Sequence, residues 1–337
     1  MSLSDRNYYL NQIHAIGIGK MSAKVFIDGD VGTTGLQIRS RLEDRSDLTL
    51  IRLPADQRKD PSRRREALNS ADVAILCLPD DAARESLSMI ENSDTRIIDT
   101  STAHRVANGW DYGFPEYNNT QAKIIATSDR VSNPGCYAIT SIAIIRPLII
   151  SGILPADWPI TINAVSGYSG GGKHLIKAFE DTKAESYHNY PFYAYSLGLQ
   201  HKHLPEIKTW SGLARPPIFV PSVGRYLQGM IVQVPLPLWA MKNMPTPEEI
   251  HSALSDHYSG CLFVSVDERA NTNALEMLHP EALNGTNKLR LHVFANQESD
   301  QVVVMGIIDN LGKGAAGQAV QNMNLMLGFA ENTGLTV

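Results

Sequence analysis

From residue 24 onward the apolar positions fall into short clusters separated by amphipathic stretches. KVFID over 24–28 reads as a strand, and after GDVGTTG the segment LQIRSRLEDR sets Leu36, Ile38 and Leu42 among charges, as a surface helix does. The order then repeats. LTLIRLP is a strand, REALNSA is helical, DVAILCLP is a buried strand, DAARESLSMIEN is a helix and TRIIDTS is a strand. Such alternation predicts parallel strands joined by helical crossovers. A doubly wound sheet binds ligands at the carboxyl ends of its strands, which here carry the glycine loop, Pro79 and STAHR.

The texture changes at SNPGCYA. Beyond it, PIFVPSVGRYLQGMIVQVPLPL, LFVSVDE, KLRLHVFAN and DQVVVMGIID alternate in the manner of a mostly antiparallel sheet. In GAAGQAVQNMNLMLGFAEN the residues Ala316, Val320, Met323, Leu327 and Ala330 share one helical face, which predicts a helix that buries that face and closes back on the first domain. The fold class is therefore α/β: a Rossmann-type dinucleotide-binding domain with a second, α+β domain that is catalytic and dimerising and is built on a mostly antiparallel sheet. Expected boundaries are 21–133 for the first, completed by the helix in 312–337, and 134–311 for the second. Residues 1–20 have no clear period and read as an extension that packs poorly.

Composition narrows the class of function. At 337 residues, with 43% hydrophobic and 19% charged, the chain has ordinary globular composition. A net charge of -5 gives no electrostatic reason to expect nucleic acid or an acidic membrane as partner. No apolar run approaches the roughly 18 residues that cross a bilayer, and the N-terminus lacks the pattern of a secretory signal. A cytoplasmic protein acting on a small molecule is expected. Three scattered cysteines, Cys77, Cys136 and Cys261, make neither a disulfide framework nor a CxxC metal site. Cys77 in AILCLP and Cys261 in CLFVSV read as small buried strand residues.

Gly29, Gly32 and Gly35 follow the first strand in the spacing GxxGxxG. Glycines allow a tight turn and close approach of backbone to a pyrophosphate, and the following helix supplies free N–H groups. Thr33 and Thr34 add hydroxyl donors. A site for NAD usually has an acidic residue at the end of the second strand; here Arg52 stands there, followed by Arg58 and Lys59. Guanidinium groups bind a ribose 2′-phosphate through charge-assisted pairs, so NADP(H) is the expected cofactor.

Cys136 closes Ser132-Asn133-Pro134-Gly135-Cys136, just before the apolar segment AITSIAII, which puts the thiol at a helix N-terminus. Such a position favours a thiolate, and Asn133 with backbone N–H groups can bind an oxyanion. Position alone is equally compatible with a structural cysteine.

The runs GDVGTTG, SNPGCYA, SGYSGGG, HKHLPE and DNLGKGAAGQAVQ, in this order, resemble the N-acetyl-gamma-glutamyl-phosphate reductases, relatives of aspartate-semialdehyde dehydrogenase, in the shorter of the family's two subtypes. The resemblance runs from about Lys24 to the C-terminus. It implies an arginine-biosynthesis enzyme in which Cys136 attacks an acyl phosphate, phosphate leaves, hydride from NADPH reduces the thioester, and a semialdehyde is released. A thiolate suits this chemistry because a thioester is open to hydride attack.

Within that reading His201 and His203 are the candidate proton carriers. They are expected in an extended segment with both imidazoles on one side, and Glu206 is a candidate for orienting them or contacting substrate. A metal site at these residues finds no further ligands elsewhere. Arg105, after a strand at the ligand-binding end, can clamp a phosphate or carboxylate, and the family's corresponding loop is associated with substrate anion binding. Ser166, Gly167 and Lys173 belong to a second anion-friendly glycine loop. Asn310 and Gly314 are assigned by the resemblance to the nicotinamide end of the cofactor. Substrate and phosphate are the expected partners, in a homodimer or homotetramer joined through the second sheet. The competing readings are aspartate-semialdehyde dehydrogenase and a nucleotide-binding regulator without turnover.

Overall fold

The structure is a computed structural model that describes residues 22–296, 298 and 300–337; the expected extension over 1–20 lies outside them. Six strands, β1 (Ala23–Asp28), β2 (Leu48–Ile51), β3 (Val73–Leu76), β4 (Arg96–Asp99), β5 (Asp111–Tyr112) and β6 (Arg130–Ser132), form an all-parallel sheet in the order β2-β1-β3-β4-β6-β5. The crossovers include α1 (Thr33–Leu42), α2 (Pro61–Ser70), α3 (Asp80–Ser88) and α4 (Gln121–Thr127). β3 is buried at every position, as a central parallel strand covered on both faces must be. Asp60 caps α2, accepting from the Ser62 and Arg63 N–H groups, with Pro61 at the first helical position.

The second sheet contains β7 (Thr161–Gly167), β8 (Phe192–Ala194), β9 (Ile218–Gly224), β10 (Met230–Pro237), β11 (Val264–Val266), β12 (Leu289–Asn296) and β13 (Gln301–Ile308), in the order β11-β12-β13-β10-β7-β9-β8. It is mixed: β7 pairs in parallel with β9 and β11 with β12, while the central β10–β13–β12 ladder is antiparallel. The helices α5 (Cys136–Ile150), α6 (Gly172–Glu180), α7 (Leu204–Ser211), α8 (Pro247–Tyr258) and the short α9 (Arg269–Asn273) accompany it. Ile139, Ile142 and Ile145 of α5 lie in one core with Val232, Val234, Leu291 and Val304 of the sheet. Cys77 and Cys261 both sit just outside strands and are half-buried, so neither is the enclosed strand residue expected.

The last helix, α10 (Gly317–Leu327), differs from the expectation of one apolar face. Ala319, Val320 and Met323 pack with Val25, Ile27, Val73 and Ile75 of the first sheet. Its polar side is buried too. Gln318, Gln321, Asn322 and Asn324 are all enclosed, and Asn322 donates to Gly113 O and Asn133 Oδ1. Ala330, expected on the buried face, lies past the helix end at Gly328, whose left-handed backbone stops it. Between β13 and α10 the chain makes a π-turn, Gly312–Ala316. There Lys313 is fully buried and donates to both carboxylate oxygens of Glu116 and to Gln321 Oε1.

Candidate active site

Gly29 has φ +92°, and a Cβ there would collide with Cys77 O; one on Gly35 would collide with Gly29 O. The loop's approach to the end of β3 requires glycine at 29, and its own tight turn requires glycine at 35. Gly32 is the N-cap residue of α1 and has no side chain to satisfy the helix's free N–H groups. Thr33 Oγ1 is buried without a hydrogen-bond partner. Beside the loop a cavity of about 460 Å3 is lined by Gly29, Arg52, Arg58 and Lys59. Arg52 is tied to Glu43 at 2.8 Å and half exposed, whereas Arg58 Nε is buried, 3.5 Å from Asp30 and without a hydrogen bond. A glycine cradle, an orphan hydroxyl and a buried guanidinium nitrogen fit the pyrophosphate and phosphorylated ribose of NADP, with Arg58 better placed than Arg52.

Cys136 is the first residue of α5, capped by Gly135. It lines a cavity of about 410 Å3 that also gathers Thr33, Thr34, Arg105, Ser166, Gly167, His201, His203, Asn310 and Gly314. Residues from five separated stretches thus meet around one sulfur. The surroundings leave no room for larger neighbours: a Cβ on Gly314 would stand 2.8 Å from Cys136 Cβ, and one on Gly135 would strike Arg105 and His203.

The thiol itself departs from expectation. Burial pushes its pKa up, against the Tyr137 N–H and the charges of Arg105 and Lys202. The helix end does not by itself hold a thiolate here. Both histidines are shifted the other way: burial, with Lys202 and Arg105, pulls His201 down to about 4, and burial pulls His203 well below its usual value. Both shifts favour the neutral forms, imidazole beside thiol, and burial opposes passage of the proton from one to the other.

The HKH segment is not extended. His203 is the N-cap of α7, with Pro205 in its first turn, and the two rings still meet with centroids 4.8 Å apart. The His203 N–H donates to His201 Nδ1 at 3.1 Å, so a neutral His201 carries its proton on Nε2, which lies 3.4 Å from the Tyr195 hydroxyl.

Arg105 is buried and commits three of its five N–H donors to Asn133 O, Thr100 O and Glu206 Oε2, each at 3.0 Å. The others are free for a ligand in the cavity. Glu206 corrects the sequence reading, since it neither lines the cavity nor bonds a histidine. It accepts from Arg105, from the Tyr112 hydroxyl at 2.8 Å and from the Gly135 N–H at 2.9 Å, tying the guanidinium to the head of α5. Burial raises its pKa against the pull of these partners. Lys173 is exposed on α6 and lines a neighbouring cavity with Gly32, Thr34 and Lys202, away from the sulfur. Asn133, also in the cavity lining, gives one amide N–H to Ala315 O and accepts from Asn322 at its carbonyl, so it clamps the terminal segment. Asn310 accepts from the Gly229 N–H and donates to Ser169 Oγ, so it fixes two loops at the cavity wall.

Sequence reasoning missed Lys202, which lines the cavity between the two histidines, and Tyr195. The lysine's place inside HKH was the available signal.

The depressed histidines make stability depend on acid. A folded pKa below the unfolded value means that the unfolded chain binds more protons between about pH 6.5 and 4, so this contribution is lost as pH falls through that window. The melting temperature should drop from pH 7 to pH 4, and less steeply in His201→Gln; equal slopes would show that His201 does not carry the effect.

Residues 24–125 match the family model of the semialdehyde dehydrogenase NAD binding domain, and residues 136–310 that of the semialdehyde dehydrogenase dimerisation domain. The chain is 52% identical over 310 residues to the N-acetyl-gamma-glutamyl-phosphate reductase of Chelativorans sp. (strain BNC1), covering 91% of this chain and 99% of that one. It is also 52% identical over 318 residues to the enzyme of that name from Trichormus variabilis, covering 93% and 99%. Among solved structures, aspartate semialdehyde dehydrogenase II of Vibrio cholerae superposes with a TM-score of 0.65 at 14% identity, over 91% of this chain and 99% of that one. The Candida albicans aspartate semialdehyde dehydrogenase, solved with NADP, gives 0.62 at 13%, over 93% and 99%. These structures share the fold, and the sequence relatives supply the family: this chain belongs to the N-acetyl-gamma-glutamyl-phosphate reductases of the semialdehyde dehydrogenase family.

Proposed function

We propose that the chain reduces N-acetyl-gamma-glutamyl phosphate to N-acetylglutamate 5-semialdehyde and phosphate, reversibly, by way of a thioester on Cys136, in arginine biosynthesis. The observation that carries this is the convergence of Cys136, Arg105, His201 and His203 on one cavity next to the glycine loop.

His203 Nε2 stands against Gly135, the residue before the nucleophile, and is the acceptor for the thiol proton. The sulfur attacks the acyl carbon, a C–S bond forms, the C–O bond to phosphate breaks, and the leaving phosphate takes the two unspent donors of Arg105. Gly29, Gly32, Thr33, Thr34 and Gly35 would hold the NADP pyrophosphate, Arg58 with Arg52 would take its 2′-phosphate, and Asn310 and Gly314 would line its nicotinamide end. When bound, NADPH supplies the hydride that brings the acyl carbon to the aldehyde level. His201, with its proton on Nε2, gives a hydrogen bond to the substrate oxygen while that oxygen is negative; as the carbonyl re-forms the C–S bond breaks, and Cys136 takes back the proton held on His203. Ser166 and Gly167 line the substrate side, and Glu206 acts through Arg105.

The cavity also separates this substrate from that of aspartate-semialdehyde dehydrogenase. Its lining holds the cations Arg105 and Lys202 and, among the described residues, no Asp or Glu to pair with a free ammonium. An acylated amine fits such a wall; a charged one loses its hydration without a partner. Phosphate-dependent reduction of NADP by N-acetylglutamate semialdehyde should be rapid, and with aspartate semialdehyde or with NAD in place of NADP at least about ten-fold poorer in kcat/KM, about 1.4 kcal/mol or more. Equal rates with the two aldehydes would refute the assignment, and activity with neither would favour the regulator.

The division at Asn133, with 312–337 completing the cofactor half, suits this chemistry because it sets Cys136 at the seam. A homodimer, or a tetramer built from it, forms through the face of the second sheet turned away from its core, where Val165, Val220, Phe294, Val303 and Met305 are partly open. A cytoplasmic location suits the thiols of Cys77 and Cys136; among the described residues no helix is long and apolar enough to cross a membrane.

A further inference from the structure

A cavity of about 300 Å3 lies at the far end of α1 from the glycine loop and shares no lining residue with the cavities of the active site. Gln37, Ser40 and Arg41 of α1 form one wall, Thr286 and Asn287 another, and Thr336 a third. Arg41 is the one charged side chain in the lining. Its Nη1 donates to Gln37 O at 2.8 Å and Oε1 at 2.7 Å, which leaves Nε and Nη2 available. Desolvation lowers its pKa, offset by the charge of Asp309.

An unpaired guanidinium face, with the hydroxyls of Ser40, Thr286 and Thr336 around it, asks for a small anionic ligand. We propose that this cavity is a second, non-catalytic binding site for a small oxyanion of the phosphate type, with Arg41 taking its charged oxygens.

The site is wired to the nucleophile. Gly312 lines it and opens the π-turn, and the neighbouring Gly285 N–H donates to Asp309 Oδ2 at 2.9 Å. Asp309 O in turn accepts from the N–H of Gly314, the residue packed against Cys136. An occupant would therefore brace the turn that forms the floor under the sulfur. Phosphate is a product of the proposed reaction, so its concentration would be sensed at a place that does not turn over.

Calorimetric titration with inorganic phosphate tests this in the full chain. Wild type should bind two phosphates per chain. Arg105→Met should lose one and keep the other. Arg41→Met should show the converse, with the rear site at least ten-fold weaker. Ser40→Asp, an exposed helix position, sets a carboxylate beside the guanidinium and should have the same effect without cutting into the core. Hydrogen exchange over 309–317 should slow with phosphate in Arg105→Met and stay unchanged in Arg41→Met. A single phosphate per wild-type chain that vanishes in Arg105→Met overturns the proposal. So does phosphate binding unaltered in both Arg41→Met and Ser40→Asp. Neither result touches the assignment of the reductase reaction, whose test is the choice of aldehyde.

Discussion

Cys136→Ser should reduce turnover by on the order of 10^3-fold or more while leaving NADPH binding intact. A hydroxyl is far less acidic than a thiol, and the buried site that already raises the thiol pKa would oppose an alkoxide more strongly. The oxyester would also accept hydride less readily than a thioester. Rapid-quench trapping with acyl phosphate should show a covalent acyl-enzyme in wild type and none in the variant. Near-native turnover by the serine enzyme would remove the thioester from the mechanism.

Glu206→Ala should be the most damaging substitution outside the cavity lining, costing about 3–5 kcal/mol of stability because it strands the buried Arg105 charge. Its other partners also lose their acceptor: the Gly135 N–H at the head of α5 and the Tyr112 hydroxyl. Glu206→Gln keeps an acceptor for the N–H and should fold better than the alanine variant. Its KM for the acyl phosphate should still rise, since the guanidinium is less firmly aimed. Denaturant melts and steady-state kinetics on both variants decide the matter, and an unchanged KM in a folded Glu206→Gln would deny the residue its positioning role.

The first sheet was legible because its strands and helices differ in period, and KVFID, DVAILCLP and TRIIDTS each carry their own signal. β5 and β8, two and three residues long, carry none; they exist because neighbouring strands offer them a ladder. The glycine loop and Cys136 were readable since backbone geometry restricts residue choice there. The histidine pair was found but its backbone misread, although Pro205 and Glu206 in LPEIKTW announce a helix start. Glu206 could not have been placed from local pattern, because its guanidinium partner is 101 residues away. The thiol's shift was hidden for a similar reason: helix position can be read along the chain, whereas burial depends on what the fold brings over the sulfur.

The enclosure of α10 has a consequence for how the molecule is made. The first sheet is complete in sequence at Ser132, yet on the side of Val25, Ile27, Val73 and Ile75 only the helix residues Ile38, Leu42 and Ile125 join the cluster before Ala319, Val320 and Met323 arrive. During synthesis the whole second sheet must emerge in between. The cofactor half therefore spends most of translation with this apolar face partly open, and its final closure is a late, long-range event in which Asn322 joins Gly113 to Asn133. Premature release of the chain before α10 would yield a species prone to aggregate, not a half-active reductase.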